Sequence, residues 1–206
     1  MSYLVSFIYD KFMNLPEKAC LRAWREELLK QVHGHVLEIG AGTGANLPFY
    51  PELVTSLVLS EPDKHMRRQL VIKAGKSTLK DVSVSSASVE TLNADEASYD
   101  FVVASLVCCS VKSPEAALDQ IHRVLKPGGR FVFIEHVAAD ENSKIRRWQD
   151  RINPLWRKMA DNCHLNRETE KAIESAGFQI SEIKRESMSK MIPLVSPVIR
   201  GIAVKS

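Results

Sequence analysis

Short apolar runs recur along the chain, separated by polar stretches of helix length. Runs of strand length occupy residues 36–39, 56–61, 82–86, 101–107, 130–136, 179–184 and 200–205. Helices are expected at 44–50, 62–75, 114–124, 144–160 and 167–175, most of them with a boundary signal. Ser113 precedes Pro114, Asn166 stands where it can cap the helix that Gly177 follows, and Pro127-Gly128-Gly129 turns into the fifth strand. Strands alternating with helices predict a parallel sheet covered on both faces. With no repeat or low-complexity linker, residues 1–206 read as one domain, a helical extension over 1–32 and a core over 33–206.

The first strand runs into LEIGAGTGAN, residues 37–46, a strand–glycine turn–helix pattern that builds nucleotide sites. In that reading backbone amides and a helix N-terminus face the ligand. Gly40, Gly42 and Ala45 satisfy the loose dinucleotide fingerprint, while Gly40, Gly42 and Gly44 satisfy the G-x-G-x-G of S-adenosylmethionine enzymes. Glu61, about 20 residues on, suits either, because ribose hydroxyls are what it would bind. Ligands of such sheets sit beyond the carboxyl ends of the strands, so segments 40–44, 61–66, 86–90, 105–110 and 135–138 are expected to line the site.

Composition narrows the classes. The chain has 206 residues, 45% apolar and 26% charged, with a net charge of +3 spread along its length. Its one basic concentration, Lys144, Arg146, Arg147 and Arg151, reads as a solvated helix face, so nucleic acid is not an expected partner. No run approaches the ~20 apolar residues of a membrane span. The first thirty residues carry Asp10, Lys11, Glu17, Lys18, Arg22 and Arg25, so no signal peptide is read there and a cytoplasmic location is expected. Cys20, Cys108, Cys109 and Cys163 show no C-x-x-C spacing and are expected to be reduced thiols without a metal, Cys108 and Cys109 pointing to opposite sides of a strand.

From about Val36 onward the chain resembles class I S-adenosylmethionine-dependent methyltransferases. The resemblance is carried by Glu38-x-Gly40-x-Gly42-x-Gly44, by Glu61-Pro62 with Met66, by Ser98-Tyr99-Asp100 and by Leu125-Lys126-Pro127-Gly128-Gly129. Within that family it is similar to the alkyl thiol S-methyltransferases at Gly42–Asn46 with Phe49-Tyr50-Pro51, at Ser105–Val111 with Ser113-Pro114, at Glu135-His136-Val137, at Trp148-Gln149, at Pro154 with Trp156, and at Cys163–Thr169. The resemblance implies a Rossmann-like, seven-stranded, mostly parallel sheet with the last strand antiparallel, and S-adenosylmethionine as cofactor, leaving as S-adenosylhomocysteine. It places the cofactor at Glu38, Gly40, Ala41, Gly42, Asn46, Glu61, Pro62, Met66, Ser88, Val89, Glu90, Ser105 and Leu106. Many class I enzymes carry an aspartate beside the adenine where this chain has Ser88, so weaker polar recognition is expected there. Animal members of the thiol branch begin with a hydrophobic anchor, and none is read here.

His136, at the end of strand five, is the candidate for positioning or deprotonating a nucleophile, with a backbone-bonded structural histidine as the alternative. Cys109, Trp148, Trp156 and Tyr9 are candidates for the acceptor pocket, the two tryptophans taken to face the same way along one helix. Tyr3, Phe7, Ile8, Tyr9, Phe12 and Met13 form an aromatic-rich stretch expected to act as a lid, the other readings being weak peripheral membrane contact or a dimer contact. Met188, Met191, Ile192, Pro193 and Leu194 are its expected apolar partners. The reading is methyl transfer to a small, apolar acceptor, preferentially a thiol, by a monomer or homodimer. A lipid or quinone-like acceptor, a non-catalytic cofactor-binding module and a nicotinamide dehydrogenase are the rivals.

Overall fold

The structure, a computed structural model, describes residues 13–206. Seven strands, β1 (Gly34–Ile39), β2 (Val54–Ser60), β3 (Val82–Ser85), β4 (Tyr99–Ser105), β5 (Leu125–His136), β6 (Phe178–Ser187) and β7 (Pro197–Lys205), form one sheet in the order β3-β2-β1-β4-β5-β7-β6. Only β7 runs against the direction of the other strands, as the family resemblance implies. The order reverses between β1 and β4, so the loops leaving their carboxyl ends diverge and open a crevice there.

Five helices accompany the sheet: α1 (Arg22–Leu29), α2 (Lys64–Ala74), α3 (Pro114–Val124), α4 (Lys144–Met159) and α5 (Thr169–Ser175). Side chains alternate across each strand, which divides the core in two. Val36, Leu57, Val103 and Val132 pack on one face with Leu21, Trp24 and Leu28 from the N-terminal segment. Leu37, Val102, Phe131 and Phe133 pack on the other with Leu118, Ile121 and Ile173 of α3 and α5. The extension is therefore part of the core from residue 13 onward, helical through a π turn at Glu17–Leu21 into α1, and Met188 and Met191 join the same cluster. The expected lid residues Tyr3, Phe7, Ile8, Tyr9 and Phe12 lie outside the described residues.

Four local expectations are corrected. The helix expected over 44–50 is a 3-10 turn, Leu47–Phe49. Gly44 is left-handed at φ +84°, Pro48 lies inside the turn, and Pro51 holds Tyr50 extended, so no α-helix propagates. Asn166 does not cap α5, whose first residue is Thr169; its amide instead donates to Asp150 Oδ1 at 2.7 Å. The Pro-Gly-Gly turn is absorbed into β5 as a bulge, with Tyr99 opposite Leu125 and Phe101 opposite Arg130. Cys108 and Cys109 lie in a turn beyond β4, not on a strand. No helix among the described residues is long and apolar enough to cross a membrane.

Candidate active site

Beyond β1 the chain turns through Gly40 and Gly42, both at φ +57°. A Cβ on Gly40 would stand 2.6 Å from Val107 Cγ2, so glycine lets the loops after β1 and β4 touch. A Cβ on Gly42 would meet only Met66 Sδ, at 4.0 Å, and this open floor beside Met66 is where a ligand can lie. Glu61, one residue past β2, closes the edge of that floor. Its Oε2 accepts from Gly42 N and its Oε1 from Asp63 N, each at 2.8 Å, and burial raises its pKa. Two of the four acceptor positions of the carboxylate remain open.

The loop amides do not form the anion cradle expected from the sequence. Ala41 N donates to Ser60 O, Gly42 N to Glu61 and Gly44 N to Ala41 O, and no α-helix starts behind them. A dinucleotide's pyrophosphate is bound by open amides at a helix N-terminus, and here the amides of Ala41, Gly42 and Gly44 are engaged within the protein.

Beneath the loop Glu38 is buried at the end of β1. Its Oε2 accepts from Tyr50 Oη at 2.7 Å and its Oε1 from Asn46 Nδ2 at 2.9 Å. Asn46 Nδ2 also reaches Ser105 Oγ at 3.2 Å, and Asn46 Oδ1 accepts from Arg25 Nη1 at 2.6 Å. Arg25 in turn pairs with Glu17 at 3.1 Å. Asn46 thus ties α1, β1 and β4 together under the loop. Burial pushes the Glu38 carboxyl up to about 7, against the pull of Tyr50, Asn46 and Arg25.

At the ends of β4 and β5 a second group of side chains converges. Leu106 at φ +60° turns the chain sharply away from β4. Glu135, fully buried, then fixes the next turn by accepting from Val107 N at 3.1 Å and Cys108 N at 3.0 Å, which makes it a structural group. Arg167 closes the same turn by donating to Cys108 O and Val111 O. The turn brings Cys109 Sγ together with His136 and Cys163, whose donor atoms lie within 4.8 Å of one another. No backbone group bonds the His136 ring, so the backbone-bonded alternative for this histidine does not hold; its ring stands against the Cys163 thiol. The Cys109 thiol beside it, and then His136, lower the Cys163 thiol, while the hydrogen bond from Cys163 and burial raise Cys109.

The match to known proteins agrees with this geometry. A model of the methyltransferase domain matches residues 9–183. Thiol S-methyltransferase TMT1B of Rattus norvegicus is 37% identical over 82% of this chain and 70% of its own length. Thiol S-methyltransferase TMT1A of Homo sapiens is 37% identical over the same shares. This chain belongs to the S-adenosylmethionine-dependent methyltransferase family, in the branch of the thiol S-methyltransferases. Among solved structures, geranyl diphosphate C-methyltransferase of Streptomyces coelicolor A3(2), in complex with S-adenosyl-L-homocysteine, superposes with a TM-score of 0.72 at 13% identity over 90% of this chain and 76% of its own. At that identity the likeness speaks for the fold.

As a methyltransferase the chain departs from its expected site in three places. Ser88 turns its backbone N–H and hydroxyl to Thr91, capping the 3-10 turn Val89–Thr91, so its N–H is not open to an adenine edge. Glu90 likewise accepts from Lys112 N, and Val89 is buried in the core, while Pro62 stays exposed. Trp148 is 54% exposed, with Arg151 over its ring, and walls no pocket. Eight residues at ~100° each leave two positions about 80° apart, so Trp156 alone turns toward Cys163. Residues not read as functional from the sequence are Cys163, Arg25, Tyr50 and Arg167; each acts through a partner remote in the chain, and no local spacing marks them.

Glu61→Ala should weaken S-adenosylhomocysteine binding ~10- to 100-fold, the loss of one or two hydrogen bonds to a charged group, read by titration calorimetry. An unchanged affinity would remove Glu61 from the ribose. Glu38 supplies a test on stability. Its folded pKa of about 7 lies above the ordinary 4.5, so the folded state keeps a proton that the unfolded chain has lost. Stability is fully present below about pH 4.5 and drains as pH rises through 7, by roughly 3 kcal/mol at the full shift. Glu38→Gln should therefore gain on the wild type across that window in urea unfolding. A difference that is flat with pH would contradict the buried carboxylate.

Proposed function

We propose that this methyltransferase acts on small apolar thiols. The observation that carries the reading is the 36–37% identity to thiol S-methyltransferases across 70–78% of their lengths. The chemistry of the crevice is consistent with it. A thiol with a pKa near 8.5 yields thiolate at neutral pH after a modest local shift, whereas a hydroxyl or carbon acid requires a positioned base. Glu135 holds the turn after β4 through two backbone amides, and Glu38 and Glu61 hold the loop after β1, so each buried carboxylate already has a structural task. His136 is the one imidazole of the described residues at the ends of β4 and β5, and it stands among thiols.

In this reading the cofactor, when bound, supplies an electrophilic methyl carbon on a sulfonium. The protein supplies alignment and exclusion of water. Glu61 holds the ribose, Met66 and the open face of Gly42 form the floor, and Glu38 with Asn46 and Tyr50 keeps the loop at its height. Leu106 and the turn to Cys109 direct the acceptor side toward His136. Cys109, Trp156 and His136 would flank the acceptor.

Incubation with methyl-labelled cofactor and a panel of alkyl thiols, phenols and quinols tests the substrate class. Label is expected in the thioether products of the alkyl thiols. Transfer to oxygen or carbon acceptors with none to thiols would overturn the reading.

A further inference from the structure

The cluster of Cys109, His136 and Cys163 has no partner in the cofactor chemistry. Its three donor atoms come from three segments, the turn after β4, the end of β5 and the loop after α4, and lie within 4.8 Å of one another. His136 is 1% exposed and has no backbone partner, its ring standing against the two thiols, so a ligand that binds sulfur and imidazole together would satisfy a polar group that burial otherwise makes costly.

The scaffold sets the two cysteine turns against each other through groups other than the sulfurs, while Cys109 Sγ makes long local bonds to Leu106 O at 3.6 Å and Ser110 Oγ at 3.4 Å that a metal would replace. Asp161 and Asn162 are both left-handed, at φ 49° and 63°, which turns Cys163 back toward β4. Asn162 Nδ2 donates to Ser110 O at 2.8 Å, and His164 N donates to Cys109 O at 2.8 Å. Each cysteine is thus flanked by a residue bonded to the other's turn. Two thiolates and one imidazole are a borderline-soft donor set of the kind zinc takes, and they neutralise its charge. Tetrahedral bonds of ~2.3 Å to sulfur and ~2.1 Å to nitrogen put ligand atoms about 3.7 Å apart, a contraction within reach of side-chain rotation. Three protein ligands leave a fourth position open, the pattern of catalytic zinc sites. Cys163 is half-buried, and Ser110, Asn162 and His164, each adjacent in sequence to one of the cysteines, line an open cleft of about 490 Å³.

We propose that Cys109 Sγ, Cys163 Sγ and a ring nitrogen of His136 bind a zinc ion whose fourth position takes the acceptor's sulfur. The second half of that statement rests on the thiol reading above; the first does not. On loading, both cysteine thiols give up their protons to solvent. The acceptor thiol likewise releases its proton to solvent and binds as thiolate. Its sulfur lone pair forms the bond to the methyl carbon, and the electron pair of the breaking carbon–sulfonium bond stays on the cofactor sulfur, giving S-adenosylhomocysteine. The neutral thioether is a poorer ligand than a thiolate and leaves.

The test uses the full chain, purified without chelator, for metal content, and then stripped and titrated with zinc or cobalt. The expected results are one zinc per chain and, with cobalt, tetrahedral d–d bands and a sulfur-to-metal charge-transfer band. Cys163→Ser and Cys109→Ser should each weaken binding by more than the ~10- to 100-fold that loss of an outer partner costs. Retained S-adenosylhomocysteine binding would show that these variants fold. An alkyl thiol should shift the charge-transfer band of the wild-type cobalt form. Failure of wild type to bind either metal, or a Cys109–Cys163 disulfide in freshly isolated protein, would overturn the proposal even if thiols are methylated. Metal binding without a band shift would overturn the fourth-ligand role, and metal binding with transfer only to oxygen or carbon acceptors would overturn the thiol reading while leaving the site in place.

Discussion

A carboxylate buried at the end of β1 must find donors, and the donors Glu38 takes decide how the crevice is built. Asn46 and Tyr50 come from the loop that the glycines release, so satisfying Glu38 draws that loop down onto the strand. Asn46 can serve because Arg25 of α1 fills its oxygen. The chain before the sheet and the loop after its first strand are thereby locked through one buried polar network, and an unsatisfied member would leave the others exposed to the same penalty. The floor formed by Gly42 and Met66 stands where it does because of what is bonded beneath it.

The acceptor side follows the same logic with a second buried carboxylate. Glu135 anchors the turn after β4 as Glu38 anchors the loop after β1, and β5 and β1 flank β4 in the sheet. Consecutive residues of β5 then divide the labour, Glu135 facing one side to hold the backbone and His136 the other to meet the thiols. In the proposed reading cofactor and acceptor ends are set on rigid strand ends, the arrangement that alignment of an in-line displacement demands.

The seven strands, their parallel run and the glycine turn were legible because each is a local pattern: an apolar run of strand length, a Pro or Gly at its edge, a turn that only glycine enters. The helix over 44–50 was misread because three local breakers, Gly44, Pro48 and Pro51, outweigh the motif's usual sequel. The core role of the N-terminal segment was hidden because an amphipathic helix looks the same whether it covers a sheet or a crevice. On the site, Glu61 was read from its distance from the glycines and Met66 from the family resemblance. Cys163 was not, since what places it is a pair of left-handed residues and two hydrogen bonds to a turn far back in the chain. Trp148 was assigned to the pocket on a spacing that helical geometry does not close.

One crevice, with the cofactor seated on the Gly42–Met66 floor and its reactive end turned toward His136 and Cys109, is the central claim. A crystal structure with S-adenosylhomocysteine bound measures it most directly. The expected result has the ribose hydroxyls on Glu61 and the sulfur facing the side chains at the ends of β4 and β5. A ribose away from Glu61, or a sulfur directed away from His136 and Cys109, would contradict it.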